Sequence, residues 1–143
     1  MVIDKFDGKY FFLSNFYPCE IKYDGLTYNS SEALFQALKC VNSSDRKLFI
    51  GLTASQSKKL GRKVNLRPDW ESVKIDIMKL VIHEKFSQNP YLKKQLLCTE
   101  NSTLIEGNTW NDTFWGVCNG VGENNLGKIL MAERDLISAF RYD

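Results

Sequence analysis

Apolar positions along this chain recur mostly at the helical period. Leu34, Ala37, Leu38 and Val41 form one stripe, and Ser30 or Ser31 stands where an N-cap belongs, so a helix running to about Val41 is predicted. Trp70, Ile77, Met78 and Val81 make a second stripe in the longest predicted helix, opened by Pro68-Asp69 and ending near Phe86. Asn89-Pro90 opens another, to Leu97, because proline is harmless in a first turn. Leu126, Ile129, Leu130, Ile137 and Phe140 point inward on a closing helix from Leu126 to Phe140. Short helices are expected near Asp45 to Ile50 and from Ala54 to Leu60, the latter closed by a left-handed Gly61. The first 28 residues read instead as strands. Phe11-Phe12-Leu13 is an apolar run, and Ile21-Lys22-Tyr23 faces Leu26-Thr27-Tyr28 across Asp24-Gly25, a two-residue hairpin turn. Leu104 to Glu106 reads as a strand and the segment from Gly107 to Asn125 as a long irregular loop. The expected architecture is one helix-rich α+β domain over residues 1–143 with a small N-terminal β-hairpin.

Composition narrows the classes. A chain of 143 residues, 43% hydrophobic and 25% charged, suits a single folded domain rather than a disordered or fibrous protein. No run reaches the 18 or so apolar residues of a bilayer crossing, and Met1 to Phe6 lacks a basic flank and an apolar centre, so a cytoplasmic protein without membrane contact is expected. A net charge of +2 is too slight for an unselective nucleic-acid binder. Cys19, Cys40, Cys98 and Cys118 form no CxxC pair, so neither a metal knuckle nor a redox dithiol is signalled, and four buried or half-buried thiols are expected. The one histidine, His83, falls with Ser72, Asp76 and Lys79 on the polar side of its helix, a poor place for a catalytic base. No metal or cofactor is called for. Any chemistry must run on carboxylates, lysines and aromatics.

Several residues break the pattern. Lys74 falls inside the apolar stripe one turn after Trp70. Either its stem covers apolar surface while the ammonium reaches water, or it is a desolvated amine that serves as base, clamp or imine-forming nucleophile. Glu32, Gln36 and Lys39 share the face away from Leu34 and Leu38, either as an ordinary solvated face or as the lining of a cleft. Trp110-Asn111-Asp112-Thr113-Phe114-Trp115-Gly116 is aromatic and polar at once, which suits a planar ligand or, alternatively, a small core plugged by indoles. Gly122 to Lys128 has the GxxxxGK spacing of a phosphate loop, but Ile129 replaces the magnesium-holding hydroxyl and no hydrophobic strand precedes it. A triphosphatase is therefore excluded, leaving a glycine loop at a helix start that suits an anion.

Five stretches in order carry a resemblance. They are Phe12-Leu13-Ser14-Asn15-Phe16-Tyr17-Pro18, Ser31-Glu32-Ala33-Leu34-Phe35-Gln36-Ala37-Leu38-Lys39, and Gly61-Arg62 with Leu66 to Lys74. Leu104-Ile105-Glu106 with Asn111 to Gly116, and Asn125 to Met131, complete the set. The chain resembles the NADAR family, also called YbiA-like, over nearly its whole length. The resemblance implies a YbiA-like α+β fold and a metal-independent N-glycosidase with no cofactor. Its expected substrate is a small nucleotide-like molecule, either an aminopyrimidine ribose phosphate of riboflavin synthesis or ADP-ribosylated guanine, free or in nucleic acid. It also implies catalytic roles for Glu32, Lys74 and Asp112, and substrate contacts for Asn15, Lys39, Arg62, Trp70, Glu106 and Trp115. The competing readings are a non-catalytic ADP-ribose or NAD-binding module and a partner-binding domain with tryptophans in its core.

Overall fold

A computed structural model describes residues 1–140, and the architecture is α+β. The elements are β1 (Val2–Ile3), a 3-10 helix (Gly8–Leu13), β2 (Pro18–Tyr23), β3 (Leu26–Ser30), α1 (Ser31–Ala37), α2 (Ser43–Arg46), a second 3-10 helix (Lys47–Phe49), α3 (Ala54–Gly61) and α4 (Trp70–Gln88). They continue with α5 (Pro90–Leu97), β4 (Thr103–Leu104), β5 (Gly107–Asn108), β6 (Val117–Cys118) and α6 (Asn125–Phe140). The chain divides into two compact units. One is Asn15–Asn89; the other joins Met1–Ser14 to the chain from Pro90 onward.

In the Asn15–Asn89 unit, β2 and β3 form the predicted hairpin, with Ile21 opposite Tyr28 and Tyr23 opposite Leu26. Asp24 and Gly25 both take positive φ, 50° and 78°, the turn whose twist matches antiparallel strands. Ser30 caps α1, its hydroxyl accepting from the Ala33 amide at 3.1 Å. The hairpin and the α1, α3 and α4 helices enclose Ile21, Tyr28, Leu34, Phe49, Met78, Val81, Ile82 and Phe86, all buried.

Helix α1 stops at Ala37, short of the expected Val41, and Val41 is exposed. Its last turn tightens, the Lys39 and Cys40 amides bonding the Gln36 and Ala37 carbonyls at 3.1 and 3.0 Å. The Arg67 amide donates to the Lys39 carbonyl at 2.9 Å, the Arg67 guanidinium to Leu38, and the Arg46 Nε to Cys40 at 3.0 Å. The carbonyls just past the helix are thus satisfied by Arg67 and Arg46 rather than by a further helical turn. The helix expected at Asp45 to Ile50 is α2 followed by the 3-10 turn. Gly61 lies inside α3 with an ordinary helical φ, so its role is not a left-handed stop. A Cβ there would overlap the Gln36 carboxamide, and the missing side chain lets α3 approach α1.

In the other unit, β1 pairs with β4 and β5 with β6, each a two-residue parallel ladder. Phe11-Phe12-Leu13 belongs to a 3-10 helix rather than a strand, because short apolar runs carry no decisive period; Phe12 and Leu13 are buried while Phe11 is partly exposed. The Leu104–Glu106 strand is trimmed to Thr103–Leu104, and the long loop carries β5 and β6. Leu126, Ile129, Leu130 and Ile137 are buried as expected, but Phe140, 73% exposed, sits where the stripe runs on past its cover. Arg134 is buried and bonds the Thr99 hydroxyl and the Ser102 carbonyl, both at 2.9 Å, tying α6 to the turn after α5. Cys19 is half-buried and Cys40 and Cys118 are buried, whereas Cys98 is exposed in that turn. Among the described residues, no helix is long and apolar enough to cross a membrane.

Candidate functional site

The structure gathers the predicted residues into one cluster in each unit. In the Asn15–Asn89 unit the cluster begins at the start of α1. The Asn15 carbonyl accepts the Glu32 amide at 3.0 Å, and its side-chain oxygen accepts the Ser31 hydroxyl at 2.8 Å, so Asn15 fixes the turn from which Glu32 projects. Its Nδ2 lies 3.5 Å from the Met78 sulfur on α4. Glu32 is 8% exposed and Gln36 5%, and Lys39 is half-buried. The polar face of α1 is therefore an interior face and not a solvated one. Gln36 Nε2 donates to Glu32 Oε2 at 2.5 Å, holding the carboxylate from the next turn.

Lys39 extends over the indole of Trp70, its Nζ 5.7 Å from the ring centroid, and Phe35 meets the same indole at 5.2 Å and 59°. Burial pushes the Lys39 amine below the ordinary lysine value; Glu32 opposes that shift, while Arg62 and Lys58 reinforce it. Arg62, the C-cap of α3, is exposed and acts on the cluster through charge. Lys74, one turn past Trp70, is half-buried, and its Nζ donates to Glu71 Oε1 at 2.8 Å. Lys39 is thus an amine beside the indole within the buried face, an arrangement that α1's spacing alone left undecided.

The second cluster is built from the segment after β4. Glu106 and Asp112 are half-buried, as is Trp115, whose ring meets Phe114 edge-on at 4.7 Å. Asp112 Oδ1 accepts the Phe114 and Trp115 amides, at 3.2 and 2.9 Å, so this carboxylate shapes the turn that presents the indole. Asn108, which the sequence reading passed over, bonds both acids. Its Nδ2 donates to Glu106 Oε2 at 3.0 Å and to the Asp112 carbonyl at 2.9 Å, and its Oδ1 accepts the Asp112 amide at 3.0 Å. Gly116 has no room for a Cβ, because the Glu106 carboxylate and the Asn108 amide occupy that space. Trp110 is 61% exposed and plugs no core. His83 is half-buried on α4. Among the described residues, no three His, Cys, Asp or Glu side chains gather as metal ligands.

Chemically, the first cluster offers a buried carboxylate with an amide one turn along and, two turns along, an amine of lowered proton affinity. The second offers an indole with two acids. Both suit a substrate that develops positive charge near a planar group.

Comparison with known proteins identifies the family. The NADAR domain matches residues 3–138. A riboflavin biosynthesis protein of Vibrio vulnificus (strain YJ016) is 38% identical over 133 residues, covering 90% of this chain and 36% of that protein. The chain thus spans about a third of the length of that relative. The N-glycosidase YbiA of Escherichia coli (strain K12) is 36% identical over 129 residues, 87% of this chain and 80% of its own. An N-glycosidase of Nostoc punctiforme is 35% identical over 131 residues, 87% and 83%. The NMR structure of the E. coli protein YbiA superposes with a TM-score of 0.85 at 32% identity, over 99% of this chain and 86% of that one. With its family match running almost end to end, the chain belongs to the NADAR family.

Proposed function

We propose that this chain is an N-glycosidase that hydrolyses a ribosyl C–N bond in a phosphorylated, nucleotide-like small molecule. The reading is supported by relatives named as N-glycosidases and by one observation above the rest: Glu32 is buried, gripped by Gln36 and backed by Lys39. Breaking the bond builds positive charge on the anomeric carbon, which a fixed carboxylate in a water-poor setting stabilises better than a solvated one.

Glu32 takes that role. Asp112 handles the proton of the leaving nitrogen or of the attacking water. Trp70 and Trp115 hold the base or ribose, and Lys39, Arg62 and Glu106 contact polar parts of the substrate. Asn15 contributes by seating Glu32. Lys74 clamps the phosphate, with imine formation on the opened sugar as the alternative route. The reaction needs no metal and runs in the cytoplasm. Candidate leaving groups are the amine of an aminopyrimidine ribose phosphate, in keeping with a relative named for riboflavin biosynthesis, and a guanine that carries ADP-ribose.

A substrate panel tests this. Aminopyrimidine ribose phosphates, ADP-ribosylated guanine nucleotides and ADP-ribosylated nucleic acid are each incubated with the protein, with and without a chelator. Chromatography then reads the released base or amine. Chelator-resistant release supports the proposal. Tight binding of ADP-ribose or NAD with no release from any substrate replaces it with a non-catalytic binding module.

A further inference from the structure

Asn108 has no place in the sequence motifs, yet its side chain bonds both the Glu106 carboxylate and the Asp112 backbone. One amide hydrogen goes to Glu106 Oε2 at 3.0 Å, and the other side of the same amide forms a reciprocal pair with the Asp112 backbone, at 2.9 and 3.0 Å. Asn111, inside the turn that this pair closes, takes a positive φ of 70°, which costs energy unless the turn is held from outside. Asp112 then passes the constraint on, because its Oδ1 accepts the Trp115 amide at 2.9 Å. The space beside the amide is shut by Gly116, where a Cβ would strike both the Glu106 carboxylate and the Asn108 Nδ2. One carboxamide therefore sets where the Glu106 carboxylate stands relative to Asp112 and the Trp115 indole.

We propose that Asn108 is the positioning residue of this cluster, fixing Glu106 and Asp112 in one frame for ribosyl C–N cleavage. The turnover arm of the test rests on the N-glycosidase reading; the carboxylate arm does not. An aspartate keeps the shape and the acceptor for the Asp112 amide, but replaces the donor to Glu106 and to the Asp112 carbonyl with a negative charge. Asn108→Asp is expected to cut kcat by about 10- to 100-fold, the scale on which small displacements of reacting groups act, with KM moved less than about threefold. Near-native melting and circular dichroism are expected in the same variant. Carbon-detected NMR of the Glu106 carboxyl is expected to show its titration displaced upward by about one unit, since like charges in contact resist joint ionisation. The same amide holds Glu106 to the backbone of a second acid, Asp112, whose carboxyl is followed in the same spectra.

If Asn108→Asp unfolds, Asn108→Ala carries the same comparison, with kcat expected to fall and KM to hold. Wild-type-like turnover in either folded variant overturns the assignment, as does an unmoved Glu106 titration in the aspartate variant. A wild-type protein that releases nothing from the substrate panel, while its Glu106 titration still responds to Asn108→Asp, overturns the glycosidase reading and leaves the positioning role standing.

Discussion

The Lys39 ammonium stands 5.7 Å above the centre of the Trp70 indole, with Phe35 tilted against that ring at 5.2 Å. Lys39 follows the end of α1 and Trp70 begins α4, so this contact joins two helix termini 31 residues apart. An aromatic face attracts the charged amine, whereas burial disfavours it, and burial is the larger influence on Lys39. The largest influence opposing burial is the Glu32 charge.

That balance yields the first prediction. Replacing Glu32 with Gln preserves the shape and removes the charge, so turnover should fall roughly 100-fold, the loss typical of a positioned acid or base. The Lys39 amine should also become easier to deprotonate, because the carboxylate was holding its proton affinity up. Carbon NMR of the Lys39 Cε reads the second effect directly. An unchanged Lys39 titration would show that the two groups are not coupled, and near-normal turnover would remove Glu32 from the mechanism.

Gly61 supplies a second. A methyl group at position 61 must displace the Gln36 carboxamide, the group that grips Glu32. Gly61→Ala should therefore destabilise the fold by about 1 to 3 kcal/mol through overpacking and lower turnover as well. Trimming Gln36 to Ala removes the obstacle. The double variant should be more stable than the sum of the single losses predicts, as expected for residues in contact. Strict additivity in chemical denaturation would place the strain elsewhere.

How much of this was legible in the sequence depended on the kind of signal. The Asp24-Gly25 hairpin, the Ser30 cap and the Pro90 opening of α5 are written locally, in residues that allow few backbone conformations, and all three are observed. The early end of α1 is not purely local: Arg46 and Arg67 take the carbonyls just past it, and no window around Val41 contains Arg67. The same holds for Glu32 and Gln36, whose polar identity signals a solvated face until α3 packs on it through Gly61. Lys74 stands out locally as a lysine in an apolar stripe and is paired with Glu71 three residues back, and Lys39 gained its setting from a helix far along the chain. Asn108 was invisible because an asparagine in a loop is ordinary; only coordinates show that its amide joins two acids.

The turn around Asp112 allows charge and shape to be separated. Asp112 Oδ1 accepts two backbone amides, a duty that an asparagine oxygen also performs. Asp112→Asn should therefore keep the Trp115 fluorescence and the melting temperature close to native while reducing turnover by at least about tenfold if the charge acts on the substrate. Activity within twofold of wild type would confine Asp112 to holding the loop. A collapse of melting temperature would instead mean that the carboxylate's charge is needed for the turn itself.

The last prediction concerns Lys85, a wholly buried lysine on α4 whose ammonium lies 5.3 Å from the Phe86 ring centroid and 6.0 Å from that of Tyr17. Burial lowers its proton affinity to about 8 from 10.5, with Cys19 as a weaker opposing influence. Below about pH 8 both folded and unfolded chains hold this proton, so the fold carries the full cost of a buried charge, on the order of 3 kcal/mol. Between about 8 and 10.5 the native amine has released its proton while the unfolded one keeps it, so the unfolded chain binds more protons and this contribution to stability rises with pH. Lys85→Met, of similar length and without the charge, should melt higher than the wild type at pH 7, and its advantage should shrink steadily as pH approaches 10. Comparing the two proteins at each pH cancels the titration of groups they share. A gain that stays constant from pH 7 to 10 would attribute it to packing alone, and a loss at pH 7 would mean that contacts of the charged amine outweigh the cost of burying it.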